Sequence, residues 1–302
     1  MKDYKAKKLL PSRKQGLYYI EHCRVQSKDD RVVYAKQEKA YTKFMSIPHK
    51  NTSVILLGSG TSITQAAARK LADEEVMVAF TGGYGTPLFL ASQNEYRPTE
   101  WMQKWASFWF DEQKRLKVAK DFQAERVNNI KLYWPLFGCP DPSQEGDEYL
   151  NNLLLCSNQE DILLCEARYT KNLYRILADH FDVYFVRTPG EKERTDKFNS
   201  FLDHGNYLAY GLAATGLWIC GIPHSLPVLH GKTRRGALVF DVADIFKDAM
   251  IMPKAFMSAA QNVADQDFRN QCVDTFLNEK TLYHIVDKIM HFCDKHKIQQ
   301  SL

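Results

Sequence analysis

The sequence predicts an α+β fold: a small β-rich N-terminal domain over residues 1–90, followed by a larger all-α domain over residues 91–302. Three observations predict it. Up to about residue 90, short apolar runs are broken by turn signals, with a single helical stretch among them. Beyond residue 98, apolar residues recur at spacings of three and four with charges on the opposite face. Between the two textures lies TGGYGTP (81–87), a flexible connection with three glycines and a proline.

In chain order, GLYYIEHCRV (16–25) and RVVYAKQ (31–37) flank SKDD and read as a hairpin with a longer loop. FMSIP (44–48) and SVILLG (53–58) read as further strands. TSITQAAARKLADEE (61–75) reads as a helix with Thr61 or Ser62 as N-cap, and VMVAF (76–80) as a buried strand. One helix is expected over Thr99–Ala124, and another over 159–181 with a stripe of Ile162, Tyr169, Leu173 and Ile176. FNSFLDHGNYLAYGLAATGLWICG (198–221) is apolar nearly all round and rich in small residues, which suits a central buried helix. GIPHSLPVLHG (221–231) is extended and broken by prolines. A helix is expected from Leu238 to about Met250, with further helices after Pro253.

Composition bounds the function. The chain has 302 residues, 45% hydrophobic and 25% charged, with net charge +4, so contact with a polyanion must come from local clusters. Seven cysteines, an odd number without a C-x-x-C pair, suit a reducing, cytoplasmic setting without disulfides. Cys165, Cys220 and Cys272 sit in apolar stretches and read as small core residues. The basic N-terminus lacks the apolar core of a signal peptide, and no apolar run reaches the ~18 residues of a membrane span, so no membrane partner is expected.

Two nucleotide-binding readings fail on spacing. Gly231-Lys232-Thr233 resembles the end of a phosphate loop, but five positions before Gly231 stands Leu226 rather than glycine, and Pro227 removes another backbone donor. VILLGSG followed by a helix resembles the opening of a dinucleotide fold, with Gly58 and Gly60 in place. The third glycine position, however, is Ile63, and VMVAF ends in Thr81 and Gly82 rather than an acid. A dinucleotide-dependent enzyme is thus the weaker reading.

The chemistry concentrates in LHGKTRRGALVFDVADIFKD (229–248). Asp241 and Asp244 share a helix face, which by itself describes acids on a solvated first turn. Their apolar neighbours (Leu238, Val239, Phe240, Val242, Ile245) argue for burial, and His230 ends a proline-stiffened loop just upstream. Carboxylates with one imidazole suit Mg²⁺ or Mn²⁺ better than Zn²⁺. Glu166 lies mid-helix among hydrophobic residues, where a carboxylate is costly unless it is metal-bound or paired with Arg168, Lys171 or a distant base. Lys232, Arg234 and Arg235 lie beside these acids, and Lys114, Arg115, Lys117 and Lys120 form a second basic set. Acids for a cation beside bases for phosphates describe a site acting on nucleic-acid backbones, or else a solvated loop and a charged helix face.

These segments resemble, in this order, a known family. SVILLGSGTSITQAAARKLA, TGGYGTPL, EYRPTEW, FWFDEQKRLKVAK, EARYTKNLY, FLDHGNYLAYGLAATGLW and GIPHSLPVLHGKTRRGALVFDVADIFKDAMIMPKAF span residues 53–256. They are similar to the CRISPR-associated integrase/endonuclease of spacer acquisition, the first-numbered Cas protein, and within it to the type I-F branch. The resemblance implies a β-rich domain, a helical catalytic domain, and a metal site formed by Glu166, His230 and Asp244, with Asp241 as a second acid of that site. It implies catalysis by these four residues with Mg²⁺ or Mn²⁺. The 3′-hydroxyl of a captured DNA fragment would attack a repeat phosphodiester, with Lys232, Arg234 and Arg235 on DNA phosphates. It implies a homodimer working with a small adaptation partner, one fused in this branch to the helicase-nuclease. The alternative is a non-catalytic DNA-binding scaffold within the same adaptation complex.

Overall fold

The structure is a computed structural model that describes residues 14, 16–37, 42–81, 87–91, 99–189, 196–231 and 236–297. Strands fill the first part: β1 (Gly16–Ile20), β2 (Arg24–Lys28), β3 (Arg31–Gln37), β4 (Thr42–Ile47), β5 (Thr52–Leu57), β6 (Ser62–Ile63), β7 (Met77–Thr81) and β8 (Pro87–Ala91), with α1 (Gln65–Asp73) between β6 and β7. They form two sheets, ordered β1-β5-β7-β8 and β4-β3-β2-β6. The α+β class expected from the sequence is the class observed.

The first sheet is the centre of this half. β5 is buried at every position because both its faces are covered. Alternation assigns each residue a side. Val54 and Leu56, with Leu17, Met77 and Ala79, join the hydrophobic core of the helical part. Ile55 and Leu57, with Ile20 and Val78, pack instead on Val25 and Val32 of the second sheet and on Ala67 and Leu71 of α1. A continuous apolar run such as SVILL is what such a strand requires.

The expected hairpin is corrected. GLYYIEHCRV is not one strand: it breaks at His22, whose φ is 51°, and its halves enter different sheets. The hairpin is β2–β3, closed by two residues, Asp29 (φ 49°) and Asp30 (φ 58°). Positive φ at both centres matches the right-handed strand twist, and aspartate tolerates it. The helix expected from residue 61 starts at Gln65, where Thr64 Oγ1 accepts the Ala67 N–H at 3.3 Å. Ser62 and Ile63 are instead paired alongside Arg24 and Val25. Residues 82–86 of the glycine-rich connection lie outside the described residues, and the strand after it, β8, was not foreseen.

The helices are α2 (Thr99–Trp109), α3 (Glu112–Leu136), α4 (Ser143–Leu155), α5 (Gln159–His180), α6 (Lys197–Cys220), α7 (Leu238–Asp244), α8 (Lys247–Ala260), α9 (Asp265–Asn278) and α10 (Thr281–His296). The helix expected over Thr99–Ala124 is two: it stops at Trp109, and Asp111 restarts it by accepting the Lys114 N–H at 3.0 Å. The helix expected over 238–250 is also two, broken at Ile245–Phe246, where Phe246 leaves helical geometry (φ −129°). In α5, Leu177 rather than Ile176 completes the buried stripe of Ile162, Tyr169 and Leu173.

The central helix is α6, which packs against α7, α8, α9 and α10 and ends on Gly221 in the left-handed region (φ 69°). Its glycines let neighbours approach closely: a Cβ on Gly216 would lie 2.5 Å from Ile285 Cγ2 of α10. Cys220 and Cys272 are core residues, whereas Cys165 is only half-buried, its Sγ 3.7 Å from that of Cys156. No helix among the described residues is long and apolar enough to cross a membrane.

Candidate metal centre

α5, α7 and the loop before α7 bring three of the expected residues together. Glu166, His230 and Asp244 each offer one ligand atom, and these atoms all lie within 4.8 Å of one another. His230 Nε2 is 3.7 Å from Glu166 Oε2. Residues 64 and 14 positions apart along the chain thus share one small space.

The loop carrying His230 is held from both sides. Trp105 Nε1 donates to the Leu226 carbonyl at 3.0 Å, Trp109 Nε1 to Pro227 at 2.7 Å, and Gln159 Nε2 to Val228 at 2.7 Å. From the other side, the buried Asp241 carboxylate accepts the N–H groups of Val228, Leu229 and His230 at 2.7, 3.1 and 3.1 Å. Its Oδ1 also faces His230 Nδ1 at 2.7 Å. Asp241 therefore stands behind the imidazole rather than with the three converging atoms, and Nε2 is turned toward Glu166.

Cations hold one oxygen of each converging carboxylate. Arg126 of α3, 1% exposed, donates to Glu166 Oε1 at 2.9 Å and pairs with Asp248 Oδ2 at 2.5 Å. Lys247 contacts Asp244 Oδ1 at 2.6 Å and Asp248 Oδ1 at 3.1 Å. Of the partners the sequence allows Glu166 (Arg168, Lys171 or a distant base), the fold selects a distant one, Arg126.

This crowding sets the protonation states. Burial pushes the Glu166 carboxyl up, and Asp244 adds to the push, against the pull of Arg126. Burial also pushes Asp244 up, but Lys247, Arg126 and His230 outweigh it and hold this carboxyl below the usual range. Burial favours neutral His230, yet the Asp241 hydrogen bond and the carboxylates of Asp244, Asp241 and Glu166 raise its pKa above 6.5. Among the described residues, three acids (Glu166, Asp244, Asp248) share two permanent cations, Arg126 and Lys247, while Asp241 is taken up by His230 and its loop; the one acid in excess suits a further cation. Two carboxylates and one imidazole form a donor set for a hard divalent ion such as Mg²⁺ or Mn²⁺. The residues present fit the expected group.

Lys232, Arg234 and Arg235 lie outside the described residues. The second basic set is partly occupied with structure: Arg115 lies over the Trp109 ring and bonds its carbonyl, and Lys120 bonds the Cys156 carbonyl at 2.7 Å. In the Gly58–Gly60 turn, Gly58 is committed to packing. Gly58 N–H donates to Ile20, and a Cβ on Gly58 would meet Tyr19 Oη at 2.5 Å.

Sequence reasoning missed Arg126, Lys247, Asp248 and the two indoles. Lys247 and Asp248 follow Asp244 at spacings of three and four, a signal that was available. Arg126, flanked by Phe122, Val127 and Ile130, raised the same question of a buried charge that Glu166 raised.

The family model "CRISPR associated protein Cas1" matches residues 17–290, nearly the whole chain. The chain belongs to the Cas1 family. It is 42% identical to "CRISPR-associated endonuclease Cas1" of Pectobacterium atrosepticum over 96% of this chain and 95% of that one. It is 44% identical to the Pseudomonas aeruginosa protein of the same name over 94% of each. Among solved structures, "TtCas1-DNA complex" superposes with a TM-score of 0.72 at 21% identity, covering 95% of both chains. "Casposase bound to integration product" superposes with a TM-score of 0.75 at 13% identity, covering 93% of this chain and 91% of that one. At those identities the two likenesses speak for the fold.

Proposed function

We propose that this Cas1-family protein is a divalent-metal-dependent DNA endonuclease and integrase that inserts captured foreign DNA fragments, spacers, into a CRISPR array. The observation that carries the reading is the convergence of Glu166, His230 and Asp244 within 4.8 Å in a family whose relatives are named endonucleases. The fold likeness to a DNA-bound and an integration-product-bound protein supports the choice of DNA as substrate.

Glu166, His230 and Asp244 are the ligands of Mg²⁺ or Mn²⁺. When bound, the ion supplies Lewis-acid stabilisation to charge developing on a scissile phosphate. Asp241 keeps the His230 proton on Nδ1, so that Nε2 is the ligand atom. Arg126 and Lys247 hold Glu166 and Asp244 by one oxygen each. Lys232, Arg234 and Arg235 grip DNA phosphates. The fragment's 3′-hydroxyl gives up its proton and forms a new bond to a repeat phosphorus as the old ester bond to a 3′-oxygen breaks; that oxygen leaves with the bonding pair and takes up a proton, becoming a free 3′-hydroxyl. One phosphodiester replaces another, so no ATP is needed. The division into a β-rich domain (1–90) and a helical domain carrying the site (91–302) is part of this reading, with the boundary moved to the end of β8 at Ala91. The working unit is a homodimer with a small adaptation partner fused to the helicase-nuclease.

A joining assay with a labelled fragment, a supercoiled repeat-bearing plasmid and Mn²⁺, with and without that partner, tests this. Glu166→Ala, His230→Ala and Asp244→Ala should each abolish joining while DNA retention stays nearly intact. Joining at the wild-type level by all three would leave the non-catalytic scaffold as the better reading.

A further inference from the structure

The two acids of the candidate centre are joined by an alternating chain of buried and half-buried charges: Glu166, Arg126, Asp248, Lys247, Asp244. Its middle is the Arg126–Asp248 pair, with side chains 1% and 4% exposed. Asp248 is not among the three converging residues, yet it contacts both cations that hold them.

The surroundings fix this pair more than a simple ion pair requires. Arg126 also donates to Gln123 Oε1 at 3.1 Å and to Thr170 Oγ1 at 2.7 Å, one turn beyond Glu166 on α5. The same helix, α3, grips the α7–α8 break through its backbone. Asn129 Nδ2 donates to the Ile245 carbonyl at 2.8 Å, and Trp134 Nε1 to the Asp248 carbonyl at 3.0 Å. That break is where Asp244 ends one helix and Lys247 starts the next. Buried ion pairs are poor sources of stability, since desolvation cancels most of the attraction and packed apolar side chains serve as well. Planar guanidinium geometry, by contrast, fixes two carboxylates at a set separation, which an ammonium cannot do.

The geometry points to Arg126 and Asp248 as positioning residues that set the spacing and orientation of Glu166 and Asp244 for a divalent cation. This inference rests on the metal-centre reading above. The pair touches neither the ion nor the DNA; it acts through the two ligands.

The test measures Mn²⁺ binding to the full-length protein by electron paramagnetic resonance, alongside thermal melting without metal and joining over a range of Mn²⁺ concentrations. Asp248→Asn keeps the shape and removes the charge; Arg126→Lys keeps the charge and removes the fork. Both should bind Mn²⁺ about 10- to 100-fold more weakly, as partners of metal ligands generally do when changed. Joining should recover when Mn²⁺ is raised, a rescue that a merely structural defect would not show. If either buried variant fails to fold, Thr170→Val decides. It removes one Arg126 bond at a half-buried position and should weaken Mn²⁺ binding about threefold to tenfold. Wild-type Mn²⁺ affinity in the folded variants, or lost joining that excess Mn²⁺ does not restore, would overturn the inference. Asp244→Asn separates the two claims. If it too binds Mn²⁺ like the wild type, the metal-centre reading fails and this inference with it; if it alone loses binding, only the inference fails.

Discussion

His230 Nδ1 sits 2.7 Å from Asp241 Oδ1, and the same carboxylate accepts the backbone N–H of His230 at 3.1 Å. One side chain thus fixes both the imidazole and the loop that carries it. Asp241→Ala would strand three buried N–H groups and should destabilise the protein by about 2–4 kcal/mol. Asp241→Asn keeps one acceptor oxygen and should cost less, but His230 should then titrate closer to its ordinary value. Thermal melts and an NMR titration of the imidazole check both outcomes; equal melting of Asp241→Ala and wild type would contradict the first.

Metal binding should depend on pH through His230. Its pKa lies above 6.5 in the metal-free protein, despite burial, because carboxylates surround it. A raised imidazole pKa stabilises the metal-free fold below the unfolded value, and that contribution is lost as pH rises through the folded value. A ligand nitrogen must be unprotonated, so the ion competes with a proton throughout the acid side. Mn²⁺ affinity should fall about tenfold per pH unit below the raised pKa and level off above it. Titration calorimetry across pH, in buffers of different ionisation heat, should show about one proton released per ion on the acid side. Affinity independent of pH between 5 and 8 would rule out the imidazole as ligand.

The central helix gives a prediction about stability. Gly216→Ala places a methyl group 2.5 Å from Ile285 Cγ2, on a β-branched side chain that cannot swing away. Overpacking costs about 1–3 kcal/mol, while alanine gains about 1 kcal/mol in helix propensity. The net expectation is a loss of about 1 kcal/mol. Combined with Ile285→Ala the effects should be less than additive, as for residues in contact. Chemical denaturation of the four proteins in the cycle measures this; strict additivity would mean that the two positions do not touch.

Apolar patterning made the fold class and the central helix legible, because burial on every side leaves a continuous apolar run, as in 198–221. Breaks were harder. Asp111 and Phe246 interrupt helices whose apolar spacing carries straight through them, so periodicity alone joined what capping and backbone geometry separate. His22 likewise divides a run that alternates well enough to be one strand. At the site, Asp244, His230 and Glu166 stood out by residue type and by family resemblance, but spacing alone could not bring residues 166 and 230 together. Arg126 and Asp248 stayed hidden because their roles come from contacts between α3, α5 and α8, which only the folded chain creates.

Anomalous diffraction from crystals of the protein soaked in Mn²⁺ tests the metal centre most directly. The account predicts a single strong peak within bonding distance of Glu166, His230 Nε2 and Asp244, lost in Asp244→Asn. A peak bound elsewhere, or none at this position at millimolar Mn²⁺, would contradict it.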